Sequence, residues 1–172
     1  MALSPRLQCW LEARGIATSN EPGFMKMVPW LRTTYLLCAS IFAISVVFAF
    51  TPLMWVMVPI AAAGAIFKVH PFDLVYNYGI RLLTGTGKLP TNGAPTRFAC
   101  GMATPWMIAT ALSFQFGLAP LGYALGGSLV AVAYLVGTTH FCIPSFIWQF
   151  TVGDRELALR TISRTAREEQ VA

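Results

Sequence analysis

Charged residues are scarce in this sequence. Only 11% of its 172 residues are Asp, Glu, Lys or Arg, whereas 56% are apolar. Four stretches contain no charged residue at all, namely 35–50, 53–67, 98–117 and 121–150. A water-soluble domain of this size has too small an interior to hold that many apolar residues. The composition therefore excludes an ordinary soluble domain and predicts a protein whose solvent is lipid.

The lengths of these apolar runs favour helices that cross a membrane, since a spanning helix needs roughly 20 residues. We expect an all-α membrane protein with four transmembrane helices in two hairpins, and with amphipathic interfacial helices on the cytoplasmic side. The run between Pro52 and Lys68 is the shortest, and a re-entrant helix is the alternative there. The expected segments are an N-terminal cytoplasmic or interfacial part (1–30), a four-helix domain (31–150) with a cytoplasmic segment (68–97), and a C-terminal cytoplasmic helix (151–172).

The basic residues predict the orientation. All 12 Lys and Arg residues lie in three groups of four, before residue 33, within 68–97 and after residue 154. The two other connections, at 51–52 and 117–120, carry no charge. Because basic residues stay on the cytoplasmic side, both termini and the middle segment are predicted to be cytoplasmic. The net charge of +5 favours contact with anionic lipid in the bilayer over nucleic acid.

Small residues mark two predicted packing faces. Ala61 and Gly64 lie on the second apolar run, and Gly122 and Gly126 lie on the fourth. Such spacing lets two helix backbones approach closely, so that van der Waals contact holds them together in lipid. The face is expected to pack within the bundle, and a contact between two copies of the chain would have the same pattern.

Several motifs that would identify an activity are missing. No Cys-x-x-Cys pair and no histidine pair at helical spacing occurs. The glycines at 85 and 87 do not have P-loop spacing, which excludes that mode of nucleotide binding. The apolar runs contain no acidic residue, which argues against an ion channel or a transporter.

Polar groups are predicted to gather at the cytoplasmic edge, where the third apolar run begins and the second and fourth end. The candidate thiol, metal or ligand site consists of His70, Arg97, Cys100, His140, Cys142 and Ser145. Two histidines and two cysteines are suitable metal donors, and Arg97 would favour a nearby thiolate. The alternative is that the histidines are hydrogen-bonded in the interior and the cysteines act as small apolar residues. No cofactor is specified by these residues.

Three short elements carry a resemblance to a known family. In order they are His-Pro-Phe-Asp at 70–73, Ala-Pro-Thr-Arg-Phe-Ala-Cys-Gly at 94–101 and Thr-His-Phe-Cys-Ile-Pro-Ser at 139–145. From about residue 28 to 150 the chain resembles the bacterial membrane family called domain of unknown function 4395. The resemblance implies a multi-pass protein of the bacterial cytoplasmic (inner) membrane.

The same resemblance also bears on chemistry. Members of the family often carry a second cysteine where this chain has Ser145, and some occur with thioredoxin-like or sulfurtransferase proteins. The resemblance therefore implies at most a mixed disulfide or a persulfide on Cys142, with Ser145 donating a hydrogen bond to the thiolate.

Two functions are compatible with these observations. The first is a non-enzymatic accessory or scaffold subunit that packs against a membrane-protein partner or a second copy, with a pigment or haem contact at His140. The second is a thiol, sulfur or metal-handling protein that uses Cys142, Cys100 and His140 at the cytoplasmic face. Whether the protein is an enzyme is left open by the sequence.

Overall fold

A computed structural model describes residues 4–18 and 22–169, which form helices and, within those ranges, no β-strand. The all-α prediction is confirmed. Residues 1–3, 19–21 and 170–172 of the predicted terminal segments lie outside the described residues. The helices are Pro5–Ala13 (α1), Pro22–Met27 (α2), Thr33–Val47 (α3), Thr51–Ile66 (α4), Pro71–Val75 (α5), Arg81–Thr84 (α6), Ala94–Gln115 (α7), Ala119–Thr139 (α8), Ile143–Thr151 (α9) and Arg155–Glu169 (α10), with a 3₁₀ turn at Val28–Arg32 and a π turn at Tyr76–Ile80.

Local capping residues explain where the short helices begin and end. The Ser4 hydroxyl accepts a hydrogen bond from the Leu7 amide at 3.3 Å, and proline follows as the first helical residue. Gly15 ends α1 with a φ of +77°, a backbone conformation that glycine adopts without strain. His70 caps α5 in the same way that Ser4 caps α1, and the Asp73 carboxylate accepts from the His70 amide.

Two helical stretches are long and apolar enough to cross a membrane, Phe24–Val47 and Ala119–Thr139. The stretches Thr51–Ile66 and Pro71–Thr84 meet this criterion together, but an 87° bend separates them, so they form either one broken span or a re-entrant loop. Helix α7 has 22 residues and is not among these candidates. The prediction of four crossings is therefore supported for two helices by length and composition, and it stays a prediction for the others.

The core lies between α3, α4, α7 and α8. Helix α4 packs along α7, α7 along α8, α8 along α3 and α3 along α4, so each of these helices contacts two others. Their shared interior contains Phe42, Val46, Met54, Met57, Ala61, Met107, Ala111 and Leu129. Large apolar side chains on the outer surface, such as Val56 and Leu121, are exposed. An exposed apolar exterior around a packed interior is what a lipid environment favours.

The fourth apolar run is not one continuous helix. It was expected to extend from 121 to 150, but α8 ends at Thr139 and α9 begins at Ile143. His140 adopts a left-handed conformation with a φ of +65°, and Pro144 begins the next helix. A residue in this conformation ends a helix, and proline is favoured in the first turn of the next one. The result is that α9 turns back against the N-terminal part of α7.

The small residues that the sequence singles out occupy crowded positions. A Cβ on Gly126 would clash with Val46 and Thr110, and a Cβ on Gly122 would clash with the Phe114 ring. Ala61 is buried within the helix core. Gly64 lies against the His70 ring and Cys100, so this glycine makes room for polar side chains as well as for a helix.

Another close approach fixes the end of α1 against the start of α7. A Cβ on Gly93 would lie 2.8 Å from the Gly15 Cα and from its carbonyl oxygen. The atoms in contact belong to the backbones of both segments. Neither segment can therefore move aside as a flexible side chain would. This contact holds Arg14, the residue before Gly15, beside α7.

We expect Gly93→Ala to destabilise the fold by about 1–3 kcal/mol, because the added methyl group forces the two backbones apart. Gly127→Ala is the matched control, since no atom lies within 4 Å of a Cβ at that position. The control should leave stability unchanged or raise it by up to about 1 kcal/mol, as alanine is the better helix former. Unfolding curves of both variants in detergent test this, and equal curves would contradict the close contact.

Candidate functional site

A cavity of about 110 Å³ lies inside the protein. It is near the end of the helix bundle at which the polar segments lie. Three of the four cysteines line it: Cys38 from α3, Cys100 from α7 and Cys142 from the N-cap of α9. Most of the wall is apolar. The other polar residues along the wall are Arg14, Thr34, Tyr35, His70, Asp73, Asn92 and Thr96.

The thiols of this cavity are free, since Cys38, Cys100 and Cys142 form no disulfide. The fourth cysteine, Cys9, is buried in α1 and does not line the cavity. The fold therefore gathers thiols from three separate helices, which is possible only because α9 turns back at His140.

Arg14 is the most unusual residue of the site. Its side chain is only 2% exposed, and its Nε has no hydrogen-bond partner. Its guanidinium carbon lies 4.5 Å from the centre of the Tyr35 ring, and its carbonyl oxygen accepts from Thr96 Oγ1 at 2.9 Å. Among the described residues no carboxylate forms an ion pair with it. A buried cation without a counter-charge is costly, because it loses its hydration and gains no equivalent interaction.

His140 lies directly behind Arg14. Arg32 Nε donates to His140 Nε2 at 2.7 Å, so the neutral imidazole carries its proton on Nδ1. Arg14 Nη1 is 3.4 Å from that protonated nitrogen. Both nitrogens carry protons, so neither accepts a hydrogen bond from the other. Burial, together with the adjacent charges of Arg14 and Arg32, lowers the pKa of His140 to about 4.

Asp73 occupies another part of the cavity wall and is saturated with donors. One carboxylate oxygen accepts from Thr34 Oγ1 at 2.5 Å, and the other accepts from the His70 amide at 3.0 Å and from Asn92 Nδ2 at 3.1 Å. These three hydrogen bonds offset the loss of water around the buried charge. Asp73 is therefore held in place as a structural anchor for the start of α5.

His70 is fixed in one tautomer by its role as a helix cap. Its Nδ1 accepts from the Phe72 amide at 3.2 Å, so the neutral ring carries its proton on Nε2. A Cβ added to Gly64 would lie 2.9 Å from this Nε2 and 3.2 Å from Cys100 Sγ, so the two atoms share one small space. Burial lowers the pKa of His70, and the Asp73 carboxylate opposes that shift. His70 and Cys100 thus both border Gly64 in the cavity wall.

The connection between α6 and α7 covers the cavity. Leu89, Pro90 and Asn92 from this connection contribute to its wall. The Leu89 amide donates to Asn77 Oδ1 at 3.0 Å, and the Asn92 amide donates to the Lys68 carbonyl at 2.7 Å. Hydrogen bonds to two different segments hold this cover in place.

The structure brings together most, but not all, of the residues predicted from the sequence. His70, Cys100 and Cys142 line the cavity, and His140 lies behind Arg14. Arg97 does not line it: Nε donates to the Ala65 carbonyl at 2.9 Å and Nη2 to the Ile66 carbonyl at 2.8 Å, which caps the C-terminus of α4. The arginine in the cavity wall is Arg14.

Ser145 also has a role different from the expected one. Its hydroxyl donates to the Pro95 carbonyl at 3.1 Å and is fully buried. A hydroxyl has one proton to donate, so this bond leaves none for a Cys142 thiolate. Ser145 joins α9 to the start of α7, which helps to place Cys142.

Sequence reasoning missed Arg14, Tyr35, Cys38 and Asp73 as members of the site. For Arg14 a signal was present, because it lies on the same face of α1 as the apolar Leu7 and Leu11. Leu11 is completely buried in the structure, and an arginine on a buried face calls for a specific explanation. No spacing rule connects Tyr35, Cys38 and Asp73 to the other residues.

The metal and haem hypotheses gain no support from the geometry. Within residues 4–18 and 22–169, no group of three or more His, Cys, Asp or Glu side chains is placed to hold a metal ion. His140 is inaccessible to solvent, and its Nε2 lone pair accepts from Arg32, so that nitrogen is not open to a haem iron. The cavity wall combines three thiols with the cation of Arg14.

The sequence matches the family described as "Domain of unknown function (DUF4395)" over residues 28–152. The chain therefore belongs to this family, as the three short elements predict. No curated protein matches the sequence. No solved structure matches it either.

The histidine between two arginines makes the fold sensitive to acid. His140 in the unfolded chain takes up a proton near pH 6.5, whereas in the folded protein it does so only near pH 4. The unfolded state thus binds more protons in this interval, and stability falls as the pH is lowered from about 6.5 to 4. The expected contribution is on the order of 3 kcal/mol.

We expect His140→Gln to flatten this dependence, because a glutamine oxygen still accepts from Arg32 but does not titrate. Melting temperatures in detergent at a series of pH values test the expectation. A slope in the variant as steep as that of the unsubstituted protein would show that other groups cause the acid sensitivity.

Proposed function

We propose that the protein is a multi-pass thiol protein of the bacterial cytoplasmic membrane, which holds a small thiol-reactive molecule in a pocket on the cytoplasmic side and exchanges sulfur with it. The observation that carries the proposal is the shared cavity of Cys38, Cys100 and Cys142 with the buried Arg14 in its wall. Thiols that act only as small apolar residues have no need of an unpaired guanidinium beside them, because burying that charge is costly.

The membrane topology in this proposal is the one predicted from the charges: four crossings, with both termini and the segment 68–97 in the cytoplasm. Contacts at one end of the helices support it. Arg14, Arg32 and His140 meet there, and Arg97 reaches the end of α4. At the opposite end the turns at 48–50 and 116–118 are uncharged and exposed. The positive-inside rule then makes the charged end the cytoplasmic one.

The proposed reaction is thiol–disulfide exchange. The thiolate of Cys142 attacks one sulfur of a disulfide or persulfide, so a new sulfur–sulfur bond forms on Cys142 while the old one breaks. The departing thiolate takes up the proton that Cys142 has lost, and no external oxidant or reductant is consumed. Cys142 is our choice of nucleophile because it is the N-cap residue of α9, where backbone N–H groups favour negative charge.

Neighbouring groups support this chemistry by position. Cys100 lines the same cavity as Cys142, and we assign it the attack on a mixed disulfide on Cys142 in a second exchange. The wall around the thiols is largely apolar, which strengthens the electrostatic contribution of Arg14.

The accessory-subunit function is the second proposal. Its specific support is the outward face of the bent segment after α4, where Tyr78, Leu82 and Leu83 are strongly exposed. Such a face lies in the lipid headgroup region or packs on a partner, with a homo-oligomer as one form of such packing. The two functions differ in what they require, since only the first needs the cavity cysteines.

A labelling experiment tests the proposed topology. In a variant that lacks the native cysteines, single cysteines placed at Ala49 and at Gly117 should react with a membrane-impermeant thiol reagent added to intact cells. A cysteine at Lys88 should react only after the membrane is opened. Reaction of the position-88 cysteine in intact cells would rule out a crossing by α4 and favour a re-entrant helix.

A mass measurement tests the thiol proposal. The purified protein in lipid nanodiscs, treated with hydrogen disulfide (HSSH), which is small enough for the cavity, should gain the mass of one sulfur atom. Cys142→Ser should abolish the gain, and Cys100→Ser should reduce its rate. Cys9→Ser is the matched control, because Cys9 is buried away from the cavity, and it should leave the gain unchanged.

Equal modification of the Cys142→Ser variant would refute the assignment of the nucleophile. Absence of modification in every form, together with recovery of the protein in a stoichiometric membrane complex, would favour the accessory function instead.

A further inference from the structure

Arg14 combines two properties that rarely occur together. It is almost completely buried, and among the described residues its Nε has no hydrogen-bond partner. Its Nη1 faces a histidine nitrogen that carries a proton, and its guanidinium also packs against the Tyr35 ring. The guanidinium therefore contributes to the cavity wall a cation that no described carboxylate neutralises.

No acidic side chain of the described residues supplies that acceptor. Asp73 is the carboxylate of the cavity wall, and its oxygens are engaged by Thr34, His70 and Asn92. Glu12, near Arg14 in sequence, accepts instead from Thr18 Oγ1 at 2.9 Å. The described carboxylates are thus held away from Arg14, and its guanidinium gains no counter-charge from them.

The shape of the guanidinium indicates what belongs there. The Nε side of an arginine grips a carboxylate through two parallel N–H bonds, which is a common and strong mode of recognition. Arg32, bonded to His140, adds a second positive charge behind the first. The rest of the wall is largely apolar, with Ala39, Phe42 and Met107 among its members. A ligand with an anionic head and a short apolar tail matches both the guanidinium and the apolar wall.

The cavity volume limits the length of that tail. At about 110 Å³ it is somewhat smaller than the engineered cavity of about 150 Å³ that holds benzene, a molecule of six heavy atoms. A carboxylate with three or four carbon atoms has a comparable size. Longer fatty acids and phospholipids are too large.

From these observations we propose that Arg14 is the receptor for a small organic carboxylate, whose acid group binds the guanidinium in the cavity wall and whose tail extends toward the cavity cysteines. The inference deepens the thiol function and rests on it in one respect, that the tail carries the thiol-reactive sulfur. The binding of the carboxylate itself does not depend on the thiols.

Thermal stabilisation of the detergent-purified full chain is the measurement, because a ligand that binds the folded state raises its melting temperature. Butyrate is the probe, and butyramide is the control for shape without charge. Butyrate should stabilise the protein, whereas butyramide should not. Octanoate should stabilise less than butyrate, because its tail exceeds the cavity.

Two substitutions separate the roles of charge and geometry. Arg14→Met removes a buried unpaired charge, so it should fold at least as well as the unsubstituted protein, and its affinity for butyrate should fall roughly tenfold to a hundredfold. Arg14→Lys keeps the charge but loses the paired N–H groups, and it should also bind more weakly. Arg160→Met, on the exposed face of α10, should bind butyrate normally.

A variant with Ser at Cys38, Cys100 and Cys142 distinguishes this inference from the thiol function. It should bind butyrate as the unsubstituted protein does, even though it exchanges no sulfur. Equal binding by Arg14→Met, equal stabilisation by butyramide, or no stabilisation by butyrate would each overturn the inference. Failure of sulfur exchange with butyrate binding intact would overturn the thiol function alone.

Discussion

The burial of the Arg14 guanidinium is the constraint on which the rest of the charged end depends. A cation removed from water costs several kcal/mol unless other groups compensate it. The fold nevertheless holds Arg14 in place from three sides, through the Gly15–Gly93 backbone contact, the Thr96 hydrogen bond and the Tyr35 ring. If Arg14 were free to move outward, its charge would regain water. The close contact between Gly15 and Gly93 prevents this outward movement, so the fold keeps the charge of Arg14 buried.

Much of the helical architecture follows from local rules in the sequence. Ser4 and Gly15 mark the ends of α1, and His70 with Asp73 marks the start of α5. The side chains of Ser4, His70 and Asp73 form hydrogen bonds with backbone N–H groups at the start of each helix, and Gly15 adopts the left-handed conformation that ends one. The break at His140 did not follow from such rules. Residues 121–150 carry no charge, and the left-handed conformation falls on a histidine where no glycine marks the end of the helix.

The candidate site was predictable only in part, for a physical reason. Residues near the predicted cytoplasmic edge share a membrane depth, and depth follows from sequence position along a helix. Rotation about the helix axis does not, because these helices are apolar on nearly every face and give no periodic signal. Arg97 and Cys100 therefore share the first turns of α7 as predicted, yet Arg97 turns to the end of α4 while Cys100 lines the cavity. Arg14 was missed, although it lies on the same helix face as the apolar Leu7 and Leu11.

The position of the thiols relative to the two buried charges connects the proposed function with the inferred ligand. Cys100 lines the same cavity as Arg14 and Asp73, which carry opposite signs. An empty cavity leaves these influences opposed. A carboxylate bound at Arg14 would neutralise the cation and make the surroundings of the sulfur less favourable to a thiolate, whereas a departing anion would restore the positive field. The charge of the ligand would thus control the reactivity of the thiol that it reaches, in a site where low dielectric makes such control strong.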